Sequence, residues 1–448
     1  MANGENTVTL TIDGREGTVG KGTTIMEAAE TLGIFIPHFC FHKDLSWSGT
    51  CRMCLVEVEK APKLMTACCT TAGDGMAVHT NTEKVRQGRR AILEFLLLSH
   101  PVDCPICDQA GECSLQNYYM EYGLYDSRFG LADKRKKRKA FPLGDMIVLD
   151  RERCVLCRRC VRFCKEVSKS DALDVQKRGE KSEITTFNDA PIEDPYSGNL
   201  ADICPVGALT SRKFRFRCRV WFLERVPSVC ASCGAGCNIF IDQNKDKVYR
   251  FVARRNPLVN SSWICDEGRM SWERLQGEGR LLEPVLDGKR ADWDAALEKI
   301  AAAVGDARGE PQSVAAIASP DATNEENHLL KKYACEMIGT PHLDFRVDPT
   351  WQKCDEIEDH LLRRVDKHPN TRGALDLGMT PGDGGRDVDG ILQLAKEGKL
   401  KVLLVFNQDI VGKKGAAAAE AMKKAPLSVY FGEMNDETAA AAGVALPI

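Results

Sequence analysis

The 20 cysteines of this 448-residue chain are its first candidates for chemistry, and 18 of them lie between Cys40 and Cys265. Thiols at this density in a cytoplasmic protein usually bind metal rather than form disulfides. Together with one histidine, most of these cysteines fall by spacing into four sets of at least four candidate ligands. The sequence therefore predicts four metal centres.

The most specific pattern is C-x2-C-x2-C-x3-C, which is formed by Cys154, Cys157, Cys160 and Cys164. In two-cluster bacterial ferredoxins, three cysteines of such a run bind one [4Fe-4S] cluster and the fourth serves the other cluster. The mirrored half would have ligands at positions 194, 197, 200 and 204, but only Cys204 is a cysteine. Cys204 is therefore predicted to complete the cluster of the first three cysteines. Cys164 then has no cluster to serve, and we expect a buried free thiol there.

A second set reads C-x2-C-x3-C-x27-C and comprises Cys230, Cys233, Cys237 and Cys265. Four thiolates at this spacing could hold zinc. Because the set directly follows a ferredoxin-like unit, a [4Fe-4S] cluster is the favoured interpretation.

A third set contains the histidine and reads H-x3-C-x2-C-x5-C: His100, Cys104, Cys107 and Cys113. A lone histidine is more often a core or surface residue than a ligand. Here three cysteines follow it and no fourth thiol is near in sequence, so we predict that His100 is the fourth ligand of a [4Fe-4S] cluster. A neutral imidazole removes one negative charge from the site, which tends to raise the reduction potential, as in Rieske centres. Zinc held by the same four residues is the alternative.

The fourth set lies nearest the amino terminus, where Cys40, Cys51 and Cys54 are followed by Cys68 and Cys69. A β-rich module with a ligand loop after its helix is typical of a [2Fe-2S] ferredoxin. The first gap has ten residues, whereas plant-type ferredoxins have four there. Spacing alone does not choose between Cys68 and Cys69.

Local patterns predict the elements that position these ligands. Val8, Leu10 and Ile12 alternate with polar residues, which indicates a half-buried strand. The apolar spacing over residues 24–32 predicts a helix that stops at Gly33. Further elements are an amphipathic helix that ends before the His100 set, and two strands over residues 238–242 and 247–252.

From about residue 290, helical and strand patterns alternate, which favours a parallel, doubly wound sheet. Helices are predicted over residues 293–304, 324–338 with Asn324 as N-cap, and 416–424, and strands over residues 313–318, 402–406 and 427–431.

Several classes of function are excluded or disfavoured. A net charge of −3 argues against a globally basic nucleic-acid binder, and no run of 18 apolar residues is present. The first residues lack a basic segment followed by an apolar run, so no secretory signal is expected. No nucleotide-binding fingerprint, paired carboxylates or nucleophile–base arrangement is recognisable. The six consecutive cations at residues 134–139 (KRKKRK) indicate a solvated loop or a docking site for an acidic partner, with a localisation signal as the least favoured alternative.

Five stretches, in one order, resemble the large iron-sulfur subunit of bacterial NADH:quinone oxidoreductase (respiratory complex I). They are SGTCRMCLVEVEKAPKLMTAC, HPVDCPICDQAGECSLQ, RCVLCRRCVRFC, CPVGALTS and the segment from VWFLERVPSVCASCGAGCNIF to CDEGR. The resemblance implies that the first stretch binds [2Fe-2S], with its fourth ligand seven residues before the glycine of a Gly-Met pair. Gly75-Met76 then selects Cys68. It also implies a cluster held by His100 and three cysteines, and the other two sets agree with the spacing argument.

Beyond residue 275 the chain is similar to a shortened molybdopterin-oxidoreductase domain, on the stretches SVAAIASPDATNEENHLLKKYA and DGILQLAKEGKLKVLLVFNQDI. Asp348 and Pro349 stand near the place of the metal ligand in that family, and Cys354 lies past it. The sequence then stops at AGVALPI, so we expect no bound molybdopterin and a non-catalytic scaffold.

These patterns and the resemblance predict α+β iron-sulfur modules followed by a truncated α/β doubly wound domain. The modules are a β-grasp [2Fe-2S] ferredoxin (1–82), a one-His/three-Cys module (83–140), a bacterial-ferredoxin-like module (141–212) and a small β [4Fe-4S] module (213–275), before the α/β domain (276–448). One [2Fe-2S] and three [4Fe-4S] clusters are expected.

The expected function is an electron relay that has no substrate site of its own. The expected partners are a flavin-containing, NADH-oxidising subunit and other iron-sulfur subunits, with no nucleic acid and with membrane contact only through partners. The expected location is the cytoplasm, at the inner face of the membrane. The same relay in a soluble NAD-linked hydrogenase, formate dehydrogenase or electron-bifurcating reductase is the alternative. A zinc-rich interaction or nucleic-acid-binding protein is the rival from another class.

Overall fold

The computed structural model describes residues 6–448 and divides into two compact units. The first contains residues up to 226, with 240–255 and 261–266, and the second contains residues 227–239, 256–260 and 267–448. Both units mix helices and strands. No helix among the described residues is both long and apolar enough to cross a bilayer.

The chain begins with a five-stranded sheet and one packed helix. Its elements are β1 (Thr7–Ile12), β2 (Arg15–Gly20), α1 (Ile25–Thr31), β3 (Leu55–Val58), β4 (Met65–Thr66) and β5 (Met76–His79). The strand order is β2-β1-β5-β3-β4, and only the β1–β5 pair is parallel. The side chain of Thr24 accepts the Glu27 N–H, which starts α1, and Gly33 lies in the left-handed region with φ of 69° just after it. The long loop between α1 and β3 carries Cys40 and Cys51.

Two helices follow the sheet, α2 (Glu83–Leu97) and α3 (Ser114–Tyr122). Arg89 of α2 is almost fully buried and donates hydrogen bonds to the Tyr122 hydroxyl and the Leu55 carbonyl. This buried cation thus joins both helices to the first sheet. The His100 set occupies the connection between α2 and α3.

The next segment is built from short elements and has little regular structure. It contains β6 (Phe141–Pro142), β7 (Ile147–Leu149), α4 (Arg159–Arg162), β8 (Asp174–Gln176), β9 (Glu183–Thr185), α5 (Asn199–Ile203) and β10 (Leu209–Ser211). A single π-helical turn, Phe163–Val167, continues α4. The strands form a sheet in the order β10-β7-β6 and a separate β8–β9 hairpin.

A second small sheet has the order β11-β12-β13, formed by β11 (Glu224–Val229), β12 (Asn238–Asn244) and β13 (Lys247–Ala253). The predicted strand pair corresponds to β12 and β13. Lys245 and Asp246 form the turn between them with positive φ angles of 51° and 58°, as a type I′ hairpin requires. The helices α6 (Asp266–Met270) and α7 (Trp272–Gln276) follow.

The last part of the chain contains a seven-stranded sheet in the order β15-β14-β20-β19-β18-β16-β17. The five strands from β20 to β17 are parallel. The strands are β14 (Val285–Leu286), β15 (Lys289–Arg290), β16 (Val314–Ile317), β17 (Leu343–Asp344), β18 (Val402–Phe406), β19 (Leu427–Gly432) and β20 (Val444–Pro447). The helices are α8 (Trp293–Asp306), α9 (Asn324–Lys331), α10 (Thr371–Asp376), α11 (Val388–Lys396), α12 (Ile410–Lys414), α13 (Ala416–Lys424) and α14 (Glu437–Ala441).

Both faces of this sheet are apolar and covered. Leu403 and Val405 of β18 belong to a buried cluster with residues of α11 and α13, whereas Val402 and Leu404 belong to one with residues of α8 and α9. Successive strand residues point to opposite faces, so these continuously apolar strands have helices on both sides.

The predicted start of α9 was wrong by one residue. Thr323, rather than Asn324, is the N-cap, because Glu326 at the third helical position reaches back to the Thr323 N–H and completes a capping box. The single helix predicted over residues 324–338 is α9 followed by a π-helical segment, Lys332–Ile338, which ends at Gly339 with φ of 86°.

We expect Leu403→Ala to destabilise the second unit by about 2–5 kcal/mol, because a fully buried leucine leaves a cavity between sheet and helices. Urea unfolding followed by far-UV circular dichroism measures the change. Leu329→Ala is the matched control, since that leucine is 64% exposed and its truncation should change stability by less than about 0.5 kcal/mol. Equal losses of stability in the two variants would show that Leu403 does not belong to a packed core.

Candidate metal centres

The set nearest the amino terminus lies in the loops around β3 and β4. Cys54 Sγ and Cys68 Sγ are 3.4 Å apart, and the main-chain nitrogens of Phe39 and Cys40 each lie 3.4 Å from Cys51 Sγ. Hydrogen bonds from the Cys51 and Cys68 thiols lower the pKa of Cys40, and the pKa values of Cys51 and Cys68 rise in return. Four crowded thiols therefore cannot all ionise by themselves. A positively charged metal centre would allow it, so these residues fit the [2Fe-2S] group.

Burial separates Cys68 from Cys69, which spacing left open. Cys68 is 1% exposed and faces Cys54, whereas Cys69 is exposed, with its Sγ 3.5 Å from that of Cys68.

We expect Cys68→Ala to abolish the [2Fe-2S] electron paramagnetic resonance (EPR) signal and Cys69→Ala to retain it. Spectra of both variants, reduced with dithionite without oxygen, make the comparison. A protein that kept the signal in Cys68→Ala and lost it in Cys69→Ala would reverse the assignment.

The histidine-containing set surrounds a small pocket between the end of α2 and the start of α3. Its lining residues are His100, Asp103, Cys104, Cys107, Ala110, Cys113, Gln116 and Gly207. All four predicted ligands are thus brought together. Burial lowers the pKa of His100 to about 4 and raises that of Cys113 to about 11. Histidine binds metal through its neutral imidazole, so the lowered pKa favours the ligating form of His100. Cysteine binds as the thiolate, and a metal cation nearby offsets the burial that otherwise keeps these thiols protonated.

Hydrogen bonds and ion pairs fix the loop that carries His100. The Val102 N–H donates to His100 Nδ1 at 3.0 Å, and Lys134 Nζ donates to the His100 carbonyl at 2.6 Å. Asp103 accepts two hydrogen bonds from the buried Arg153 guanidinium, at 3.0 and 2.7 Å. Arg153 immediately precedes Cys154, so this pair connects the histidine-containing loop to the ferredoxin-like loop.

The ferredoxin-like set also surrounds a pocket. It is lined by Leu149, Cys154, Val155, Cys157, Arg158, Arg159, Cys160, Ile184, Cys204, Val206, Ala208 and Leu209. Burial raises the pKa of Cys154 to about 12 and that of Cys157 to about 11, and neighbouring thiols add to both shifts. The predicted ligands thus converge from two segments about 45 residues apart, in apolar surroundings. Cys164 is fully buried and does not line the pocket.

Three cysteines of the last set lie together in the loop between β11 and β12. The Cys230 N–H donates to the Cys237 carbonyl at 2.8 Å, and Gly236 has φ of 60°, so the loop with Cys233 is closed tightly. Cys230 and Cys237 are buried, and burial raises the pKa of Cys230. Cys265 is buried at the end of the first unit, just before α6.

Across residues 6–448, no three His, Cys, Asp or Glu side chains are arranged as the ligands of one metal ion, so the two complete sets above line pockets without forming a single-ion site. In the loop after β17, Asp348 accepts hydrogen bonds from the Thr350 N–H and hydroxyl, and Lys413 lies 3.4 Å from its carboxylate. The resemblance in the sequence sets Asp348 near the position of the metal ligand in molybdopterin oxidoreductases. In this chain its carboxylate is bonded to other residues of the same segment and to Lys413.

Four sequence-family models match the chain. They are a 2Fe-2S iron-sulfur cluster binding domain (residues 5–83), the NADH-ubiquinone oxidoreductase-G iron-sulfur binding region (89–128), the NADH-quinone oxidoreductase subunit 3 ferredoxin-like domain (144–210) and the molybdopterin oxidoreductase Fe4S4 domain (223–277). Together they cover more than half of the chain. The NADH-quinone oxidoreductase G subunit of Streptomyces coelicolor is 42% identical over 76% of this chain, and that of Rickettsia bellii is 38% identical over 77%.

The chain belongs to the family of NADH-quinone oxidoreductase G subunits. This confirms the resemblance found in the sequence. The chain spans about half the length of its relatives, 41% of the Streptomyces protein and 51% of the Rickettsia protein. It contains 2Fe-2S-binding and 4Fe-4S-binding domains with mixed α and β structure.

Relatives from other oxidoreductases match the chain as well. The NADPH-Fe(3+) oxidoreductase subunit alpha of Geobacter sulfurreducens is 40% identical over 75% of this chain and 40% of its own length. A solved structure of a NAD+-reducing [NiFe]-hydrogenase in the H2-reduced state is 30% identical, covering 48% of this chain and 91% of that chain, with a TM-score of 0.42.

The basic run at residues 134–139 contacts the chain itself rather than only solvent. Arg135 pairs with Glu180, and Arg138 lies 2.8 Å from Asp189. Lys139 lies 3.2 Å from Asp103 and 2.9 Å from Glu152. Most of its cations therefore stabilise loops around the ferredoxin-like set, and Lys136 remains exposed.

The spacing of the cysteines gave no indication of a role for the arginines in and beside the ferredoxin-like motif. Arg153, Arg159 and Arg162 all bond to loops of other modules, and Gly207 lies directly against Cys107. The one clue was the density of arginines in RCVLCRRCVRFC, which is unusual beside residues that become buried.

Proposed function

We propose that this chain is the multi-cluster electron-relay part of an NADH:quinone oxidoreductase. Electrons from NADH would enter from a flavin-containing partner subunit at the [2Fe-2S] end, and the chain would pass them toward quinone through its [4Fe-4S] centres. The observation that carries the proposal is that two separate pockets are each lined by four predicted ligands, one of which, Cys204, comes from a distant segment. Membership of the NADH-quinone oxidoreductase family supports the identity of the complex.

The proposed ligands follow the sequence assignment. They are Cys40, Cys51, Cys54 and Cys68 for [2Fe-2S], and for the [4Fe-4S] clusters His100, Cys104, Cys107 and Cys113, then Cys154, Cys157, Cys160 and Cys204, then Cys230, Cys233, Cys237 and Cys265. The proposed module boundaries are those given by the sequence, with a doubly wound molybdopterin-oxidoreductase-like domain over residues 276–448. When bound, the clusters supply one-electron transfer. The chain's own contribution is to hold them in pockets whose ligands are largely buried.

Anaerobic purification tests the cluster count. One two-iron and three four-iron centres predict about 14 iron atoms per chain, with matching acid-labile sulfide. A colourless protein that contains zinc instead of iron would overturn the proposal. So would an isolated chain that oxidised NADH without any partner.

A second candidate is the same relay in a soluble oxidoreductase. It is favoured by the 40% identity to an NADPH-Fe(3+) oxidoreductase subunit alpha. Affinity purification of the chain from its native cells distinguishes the two candidates. Quinone-reducing membrane subunits in the purified complex support the first candidate, and a soluble catalytic partner supports the second.

A further inference from the structure

Two arginines of α4 connect the ferredoxin-like site to the loop of the [2Fe-2S] site. Arg159 donates one hydrogen bond to the Phe41 carbonyl at 2.5 Å and another to the Ile203 carbonyl at 3.1 Å. The first acceptor is next in sequence to Cys40 and the second is next to Cys204. One guanidinium thus bonds to the main chain beside a ligand of each site.

Arg162 strengthens the same connection. Its guanidinium donates to the carbonyls of Cys40 and Ser46, at the two ends of the short segment that follows the first [2Fe-2S] ligand. In addition, Glu166, one turn further on, accepts a hydrogen bond from the Ser46 N–H at 2.8 Å. The helix α4, which carries the proposed ligand Cys160, and the π-helical turn after it therefore hold the [2Fe-2S] ligand loop through main-chain contacts.

The charge of these arginines has no carboxylate partner. In the described part of the chain, neither Arg159 nor Arg162 forms an ion pair with Asp or Glu, and the Nε atom of each is buried without a hydrogen-bond acceptor. Arg159 also lines the ferredoxin-like pocket with Cys157 and Cys204. Arg159 is half-buried, and a cation withdrawn from water without a carboxylate partner is unfavourable, so an anion in the adjacent pocket would stabilise it.

We propose that Arg159 is the counter-charge of the ferredoxin-like [4Fe-4S] cluster and that, with Arg162, it couples this centre to the [2Fe-2S] loop. The inference rests on the proposed function, because it needs both clusters. Thiolate-ligated clusters are anionic, and a nearby fixed cation stabilises the reduced, more negative state. Arg159 is therefore a positioning residue that raises the reduction potential of the electron acceptor and fixes its separation from the donor.

Redox titration of Arg159→Gln, monitored by EPR in the anaerobically purified complex, tests the charge. At a fixed ambient potential, the ratio of reduced to oxidised ferredoxin-like cluster should fall about tenfold, which is about 59 mV for a one-electron couple. Arg159→Lys retains the charge and should restore most of the ratio. Lys165→Gln is the matched control, because it removes one cation from an exposed position of the adjoining helical turn.

The outcomes separate this inference from the proposed function. Iron-free wild-type protein would overturn the proposed function, whereas an Arg159→Gln protein with all clusters and the potential of Lys165→Gln would overturn only the inference. If Arg159→Gln loses its clusters, Arg162→Gln provides the corresponding test at the [2Fe-2S] site. There the [2Fe-2S] potential should fall, since a cation beside the Cys40 carbonyl is removed, and an unchanged potential would overturn the coupling.

Discussion

Cys157→Ala is expected to remove one [4Fe-4S] cluster and to loosen the whole segment around it. About ten of about 14 iron atoms should remain, and one [4Fe-4S] EPR signal should disappear. The physical reason is the scarcity of other stabilising structure: the segment from β6 to β10 has strands of two or three residues and helices of four or five. A small module of this kind depends on its metal centre for folding. Iron analysis and limited proteolysis across residues 145–212 measure both effects.

Cys164→Ala is the matched control for this substitution. Cys164 is as buried as Cys157 and only seven residues away, but it does not line the pocket. We expect an unchanged number of clusters and a stability loss of about 1 kcal/mol, from the small cavity that the sulfur leaves. A cluster lost in Cys164→Ala would contradict the assignment of Cys204 as the fourth ligand. All clusters present in Cys157→Ala would contradict ligation by Cys157.

Local sequence patterns predicted much of the fold because the relevant forces are local. The β12–β13 pair follows from alternating apolar residues around a polar turn, and α13 from its helical spacing. The error at Thr323 has the same origin. Two adjacent residues, Thr323 and Asn324, are both favoured N-caps, and only the position of Glu326 relative to Thr323 decides between them.

Spacing also predicted which cysteines come together, at least for the two sets that surround pockets. For the ferredoxin-like set, this required an argument across about 45 residues, and symmetry of the two-cluster ferredoxin pattern supplied it. No such rule exists for the contacts between modules. Arg159 meets Phe41 across 118 residues, and Arg250 bonds to Glu112 across 138. Such contacts depend on how folded modules pack, which no periodicity or spacing encodes.

Gly207→Ala is expected to remove the cluster held by His100, Cys104, Cys107 and Cys113. A Cβ atom at this glycine would overlap Cys107 Sγ and would also stand 3.2 Å from Gln109 Cβ. The added methyl group must therefore displace a ligand or the loop that carries it, although Gly207 itself belongs to the ferredoxin-like segment. Iron content should fall by about four atoms per chain, and the EPR signal of this cluster should vanish while the ferredoxin-like signal persists.

Gly305→Ala provides the control for Gly207→Ala, because nothing lies within 4 Å of the added Cβ at that helical position. That substitution should leave all clusters in place and should stabilise α8 by up to about 1 kcal/mol, since alanine favours a helix over glycine. Full iron content in Gly207→Ala would contradict the expectation that the added methyl group displaces a cluster ligand. Loss of the ferredoxin-like cluster alone would instead assign Gly207 to the other site. The selective loss is expected because Cys107, a ligand of the His100 set, occupies the space into which a side chain at position 207 would project.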